Sequence, residues 1–197
     1  PVGCDLSRLD AAPGAERPDD PPLILWNHRW EYDKDPETFL RALYALDEAG
    51  MTFRVAIAGK NHHHSAAQLE AASQHLASHV VHFGYAKDET YAALLHRADV
   101  VVSTAVHEFF GVAVVEAIYS GCLPVLPDRL SYRELIPESA HEACIYRGYQ
   151  DLVARLGWAV THRQDARAVA DELRDHVAQF DWAQMAPVYD RHLAEVA

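Results

Sequence analysis

Short apolar runs rich in β-branched residues alternate along this chain with segments of helical period, and that alternation leaves few folds open. Leu23-Ile24-Leu25-Trp26 reads as the first strand and Pro36 to Ala49 as the first helix, with Phe39, Leu40, Leu43 and Leu46 on one face. Asp35-Pro36 supplies an N-cap and a proline at the first helical position, and Gly50 closes the helix. The same spacing predicts strands at Phe53 to Ala58, Val80 to Phe83, Asp99 to Ser103 and Leu123 to Leu126, with a weak one at Cys144 to Tyr146. Helices are expected at Ala66 to Ala77, Asp88 to Arg97, from Gly111 to about Ser120, and near Tyr132 to Ile136. Asp99 to Ser103 centres on three consecutive valines, as a parallel strand buried on both faces should. Strict alternation means an α/β fold, a parallel sheet with helices on both faces. Such sheets bind ligands beyond the carboxyl ends of their strands, which assigns the loops after Trp26, Ala58, Phe83 and Ser103 to one working edge.

Residues Pro1 to Pro22 differ in kind. The first ten read as an extended segment turning at Gly3, and Ala11 to Pro22 is rich in proline and acid, which is linker composition. The expected organisation is an interdomain segment over 1–22 and one domain over 23–197. Asp151 to Ala197 reads as helices, with a break at Phe180-Asp181-Trp182. A further domain is expected on the N-terminal side. Acids outnumber Lys and Arg by 29 to 17, for a net charge of -12, which argues against a broad nucleic-acid surface on this domain. Three cysteines, Cys4, Cys122 and Cys144, form no metal-ligand spacing or disulfide framework, so a reducing cytoplasm is the expected compartment. No apolar run approaches the roughly 18 residues of a membrane span.

The chemistry-bearing stretch is His107-Glu108-Phe109-Phe110-Gly111-Val112-Ala113-Val114-Val115-Glu116. If Gly111 opens a helix, Glu108 lies in the loop before it and Glu116 about one and a half turns in. The helix's free N–H groups and positive end suit a phosphate, and carboxylates beside it suit hydroxyls, so a phosphorylated sugar fits. Paired glutamates are ordinary on exposed helices. These stand between a buried strand and Gly121-Cys122-Leu123-Pro124-Val125, a frame that an exposed helix does not need.

In the loop after the first strand, Arg29 offers a planar fork for phosphate and Lys34 a mobile point charge, although by themselves they are ordinary loop cations. Asp33-Lys34-Asp35 matches a short D-x-D metal pattern, but Asp35 already serves as N-cap. His62-His63-His64 reads as a solvated loop rather than a metal site, since adjacent side chains rarely converge on one ion. Gly59 would let backbone approach a phosphate. Tyr85 and Lys87 could receive a nucleobase, or Tyr85 could cover the neighbouring helix. Cys122 reads as a small core residue. No G-x-x-x-x-G-K-[ST] or G-x-G-x-x-G run is present, so ATP hydrolysis and hydride transfer lose their usual signals.

Glu108-Phe109-Phe110-Gly111 with Glu116, followed by Gly121-Cys122-Leu123-Pro124-Val125, resembles the retaining glycosyltransferases of the GT-B fold, family 4, in their donor-binding half. Pro1-Val2-Gly3-Cys4-Asp5 is similar to the segment that leaves the acceptor-binding half of these enzymes. The string Trp26-Asn27-His28-Arg29-Trp30-Glu31-Tyr32-Asp33-Lys34 resembles the branch of tRNA-queuosine mannosyltransferases, and His28 stands where most of the wider family has glycine.

The resemblance implies a Rossmann-like half of a GT-B fold that binds a nucleotide-sugar donor, GDP-mannose, with no metal and no other cofactor. It implies Arg29 and Lys34 at the donor diphosphate, Glu108 near the donor sugar, and Glu116 at the ribose. Phe109, Phe110, Gly111 and Val112 would line the donor, Phe110 and Gly111 through backbone N–H groups. It also implies an acceptor-binding N-terminal domain as partner, tRNA reached through that domain, no membrane, and no transfer by the isolated domain. Two alternatives stay open: a family-4 enzyme acting on a polysaccharide or glycolipid, and a nucleotide-sugar binding module without turnover.

Overall fold

The structure, a computed structural model, describes residues 2–10, 21–60, 74–129 and 131–196. Among the described residues six strands form one parallel sheet: β1 (Leu23–Trp26), β2 (Arg54–Ala58), β3 (Val80–Gly84), β4 (Val100–Val102), β5 (Leu123–Pro127) and β6 (Ile145–Tyr146). Their spatial order is β3-β2-β1-β4-β5-β6. The chain steps outward from β1 to β3, then returns to the other side of β1 and steps outward again. Right-handed crossovers running in opposite directions lay their helices on opposite faces, so the Rossmann-like expectation holds. The reversal falls between β1 and β4, where Ile24 pairs with Val100 and Leu25 with Val101. A crevice opens at such a switch point beyond the strands' carboxyl ends.

The helix over Pro36–Glu48 forms for the expected reasons. The Asp35 carboxylate accepts the Thr38 N–H at 3.1 Å, Pro36 takes the first position, and Phe39, Leu40, Leu43 and Leu46 are buried. Trp26, fully buried, stacks on Phe39 with ring centroids 5.6 Å apart. Burying side chains of this size contributes about 1.5–3 kcal/mol each. The helices over Asp88–Arg97 and Val112–Tyr119 also fall where the period places them. The helix expected at Ala66 to Ala77 lies mostly outside the described residues, as do His62, His63 and His64.

Two boundaries differ from expectation. Ser7–Asp10 is a helical turn rather than extended chain, because Leu6 and Leu9 are both buried and a single turn brings them to one side. The C-terminal helices, Gly148–Thr161, Arg163–Val177 and Trp182–Val196, begin three residues before Asp151, since the left-handed Gly148 already turns the chain out of β6. The break at Phe180 to Trp182 is real, and it serves as an anchor. Cys4 N–H donates to the Phe180 carbonyl at 2.7 Å, Trp182 N–H to the Cys4 carbonyl at 2.9 Å, and Leu6 N–H to Asp181 Oδ2 at 3.1 Å. Among the described residues no helix is long and apolar enough to cross a membrane.

Candidate active site

The loops leaving β1 and β4 are neighbours because their strands pair, and they brace each other. Val106 N–H and His107 N–H both donate to the Asp33 carbonyl, at 2.8 and 3.3 Å, and Thr104 Oγ1 donates to the Lys34 carbonyl at 2.7 Å. Trp26 Nε1 donates to Thr104 Oγ1 from within the core at 3.3 Å. From below, the Tyr132 and Ser103 hydroxyls share a hydrogen bond of 2.8 Å, and the Tyr146 hydroxyl donates to the Ser103 carbonyl at 3.0 Å. The β4 loop thus rests on two buried tyrosines.

That bracing fixes the Lys34 side chain. The sequence reading made it a mobile point charge; instead it is only 6% exposed. Its Nζ donates to the His107 carbonyl at 2.6 Å and to Glu108 Oε2 at 3.2 Å, and pairs with Asp33 Oδ2 at 3.2 Å. A buried ammonium requires such partners, because an unpaired buried charge costs several kcal/mol. Glu108 therefore has one oxygen on Lys34 and the other accepting Phe109 N–H at 3.0 Å.

Gly111 follows with φ 90°, a left-handed conformation that glycine adopts without a Cβ penalty, and caps the helix Val112–Tyr119. A Cβ here would also press to 3.2 Å on the Tyr132 ring. Val114 and Val115 N–H groups turn back to the Gly111 carbonyl, while those of Val112 and Ala113, as first-turn donors, meet no acceptor among the described residues. The positive helix end lies beside the Lys34–Glu108 pair.

Glu116, on the same helix, is buried, and both of its oxygens are engaged. Oε1 is paired with the Arg8 guanidinium and Oε2 accepts the Tyr91 hydroxyl at 2.9 Å. Asn27 Nδ2 stands behind them, donating to Tyr91 Oη at 3.1 Å and to the Ala113 carbonyl at 2.9 Å. Burial, reinforced by the Glu116 charge, pushes the Tyr91 phenol up, so it stays a donor at neutral pH.

Sequence reasoning singled out none of Arg8, Asn27 and Tyr91 as site residues. Arg8 and Tyr91 carry no local signal, being 108 and 25 residues from Glu116. Asn27 belongs to the unusual string after β1, which was the one available hint.

Beside this network opens a cleft of about 320 Å³ lined by Arg8, Asn27, His28, Arg29, Ala58, Gly59, Lys60, Tyr85, Ala86, Asp88 and Tyr91. The structure thus brings Gly59, Tyr85 and Arg29 together, as expected. A Cβ on Gly59 would collide with the His28 carbonyl oxygen and the Trp30 ring, which is why backbone passes so close to this loop. Arg29 is mostly exposed and pairs with Glu31 at 3.3 Å. Tyr85 is exposed.

Lys87 is not among the cleft-lining residues; it occupies the N-cap position of the helix Asp88–Arg97. Phe109 is 85% exposed, whereas Phe110 is part-buried with its ring edge-on to Phe180 at 5.2 Å. Val112 is exposed at the helix start. His28 is buried under the cleft in edge contact with Trp26, and its Nε2 meets no hydrogen-bond partner among the described residues. Burial first, then the nearby Lys34 charge, push its imidazole down to about 4, so it is neutral at pH 7. Among the described residues no three His, Cys, Asp or Glu side chains gather as a metal would require.

A doubly wound sheet with a helix N-terminus, a Lys–Glu pair and a buried glutamate at its switch point has these groups at the edge where sheets of this kind hold their ligands. The chain belongs to the family of glycosyl transferases group 1, whose model matches residues 9–176. It is 40% identical over 115 residues to a tRNA-queuosine alpha-mannosyltransferase of Drosophila melanogaster, covering 58% of this chain and 30% of that one. It is 28% identical over 193 residues to a GDP-mannose:cellobiosyl-diphosphopolyprenol alpha-mannosyltransferase of Xanthomonas campestris, covering 95% and 50%.

Among solved structures, the sucrose-phosphate synthase of Thermosynechococcus elongatus superposes with TM-score 0.80 at 21% identity, over 99% of this chain and 52% of that one. Anabaena HepE in complex with UDP superposes with TM-score 0.82 at 16% identity, over 98% and 56%. These likenesses establish the fold, that of one half of a GT-B glycosyltransferase. The chain spans half or less of the length of the two curated relatives.

Proposed function

We propose that this chain is the donor-binding domain of a retaining glycosyltransferase that moves mannose from GDP-mannose to queuosine in tRNA. The observation that carries the donor role is the meeting of the pair between buried Lys34 and part-buried Glu108 with the open N-terminus of the helix that also bears Glu116. The donor diphosphate lies against that helix end, Lys34 and Arg29, which stabilise the charge developing as the bond from the sugar C1 to the phosphate oxygen breaks. The acceptor oxygen bonds to C1 on the same face, and its proton passes to an oxygen of the leaving diphosphate. No protein base and no metal enter this scheme. Glu108 takes donor-sugar hydroxyls, Glu116 the ribose, and the cleft walled by Tyr85 and Gly59 receives the nucleoside. Mannose and the tRNA acceptor are supported by the 40% identity to the Drosophila enzyme, and mannose and GDP by the Xanthomonas relative. The acceptor is held by a domain outside this chain, and the setting is the cytoplasm.

A titration comparing GDP-mannose with UDP-glucose tests the donor, and labelled queuosine-containing tRNA tests the acceptor. GDP-mannose should bind at least about tenfold more tightly, which is about 1.4 kcal/mol. Glu116→Ala should weaken nucleotide binding, and Glu108→Gln should mainly lower transfer by the complete enzyme. Parent-like binding and turnover in both variants would refute the pocket assignment. Transfer to a lipid-linked glycan instead of tRNA would favour the second reading, for which the Xanthomonas relative is the precedent.

A further inference from the structure

Glu116 is reached by a residue from the far end of the chain. Arg8 sits on a turn beside which Leu6 and Leu9 are buried, and the residues just before it, Cys4 and Leu6, are pinned to Phe180, Asp181 and Trp182. Its guanidinium emerges on the wall of the cleft and pairs with Glu116, while the Asn27 amide orders Tyr91 and the Tyr91 phenol orders the other carboxylate oxygen. The result is a carboxylate fixed on both sides, with its buried charge paired, among the described residues, to the one cation Arg8.

Each carboxylate oxygen has two acceptor directions. Arg8 takes one of Oε1 and Tyr91 one of Oε2, which among the described residues leaves one on each. Two acceptors at the spacing of a carboxylate match the two hydroxyls of a cis-diol, as in an unmodified ribose. We propose that Arg8 is a positioning residue of the nucleoside subsite: by clamping Glu116 opposite Tyr91, it presents the two remaining acceptor directions to the 2′- and 3′-hydroxyls and makes the site select ribose over deoxyribose. The proposal rests on the donor-site reading above and adds a residue and a selectivity to it.

The test is calorimetric titration of the protein and of its Arg8→Ala, Arg8→Gln and Arg8→Lys variants with GDP and with 2′-deoxy-GDP. The parent should prefer GDP by about tenfold or more, the loss of one hydrogen bond to a charged acceptor. Arg8→Ala and Arg8→Gln should bind GDP about tenfold more weakly and lose most of that preference, while Arg8→Lys keeps part of both. The ratio of the two affinities is the informative quantity, because general destabilisation weakens both nucleotides alike.

If Arg8→Ala or Arg8→Gln weakens both equally, Arg8 is structural only. If either variant binds GDP as well as the parent or more tightly, Arg8 competes with the nucleotide for Glu116, and the clamp is refuted. A parent that binds GDP without preferring ribose refutes the ribose role of Glu116, and one that binds neither nucleotide refutes the donor site itself.

Discussion

Strand β4 carries a buried carboxylate cluster at each of its ends, and the two are built to opposite purposes. At the amino end, Asp99 receives four donors on two oxygens: Leu23 N–H at 2.9 Å, Arg163 at 2.8 and 3.2 Å, and Arg167 at 3.3 Å. Nothing is left for a ligand, and the cluster ties β1, β4 and the helix Arg163–Val177 together. At the carboxyl end, Lys34, Glu108 and Glu116 are also paired, but beside open helix N–H groups and exposed aromatics, and the Glu116 partners Arg8 and Tyr91 wall a cleft. Pairing of charge therefore does not mean equal function. A saturated carboxylate holds the fold, and one with acceptor directions to spare and an adjoining cavity can hold a substrate.

The contrast can be broken by mutation. Asp99→Ala should have the largest effect: it leaves the buried Leu23 N–H without its acceptor and removes two arginine pairs, which should cost about 2–3 kcal/mol of stability, read by chemical denaturation. The variant's folded fraction should bind GDP as the parent does; a change in affinity there would dissolve the distinction between the two ends.

Lys34→Ala should show the reverse pattern. Nucleotide-sugar binding or transfer by the complete enzyme should fall about 100-fold, the usual loss for one preorganised charge donor. Its stability should fall less than that of Asp99→Ala, since Glu108 and Asp33 are only part-buried and can turn to water.

His28 sharpens the comparison through pH. Its folded-state pKa of about 4 lies below the ordinary 6.5, so the unfolded chain takes up the proton first as pH falls. The stability it contributes is complete above pH 6.5 and is lost as pH falls towards 4. Between pH 7 and pH 5 the loss should be about 2 kcal/mol. A His28→Leu variant should lack that share of the acid sensitivity, and equal slopes in both proteins would show that the imidazole is not buried neutral.

Phe109→Ser should change stability least, by no more than about 0.5 kcal/mol, because the ring packs on so little. A larger loss in a thermal melt would mean that Phe109 is covered in solution.

Much of the fold was legible before any coordinates. The valines of β4, the face Phe39-Leu40-Leu43-Leu46 and the Asp35-Pro36 start each express a local rule, and each element appears where the rule puts it. The site was legible where its residues cluster in sequence. Glu108, Gly111 and Glu116 fall around one helix start, and Arg29 and Lys34 fall in one loop.

The sequence could not say that Lys34 is buried rather than mobile. That follows from β1 and β4 pairing, which brings His107 and Glu108 over it. Lys87 looked equivalent to Tyr85 in sequence, and the strand–helix turn separates them at the cleft.

Sequence alone thus determined the element order, the parallel sheet and the working edge, because periodicity and helix starts are properties of neighbours along the chain. The tertiary structure decided the partners. Arg8 and Tyr91 close on Glu116 only because strand pairing and the anchoring of the N-terminal segment at Phe180 to Trp182 bring distant stretches within hydrogen-bond reach. No spacing rule encodes a contact across 108 residues, whereas a buried carboxylate demands a counter-charge and the fold determines which one arrives.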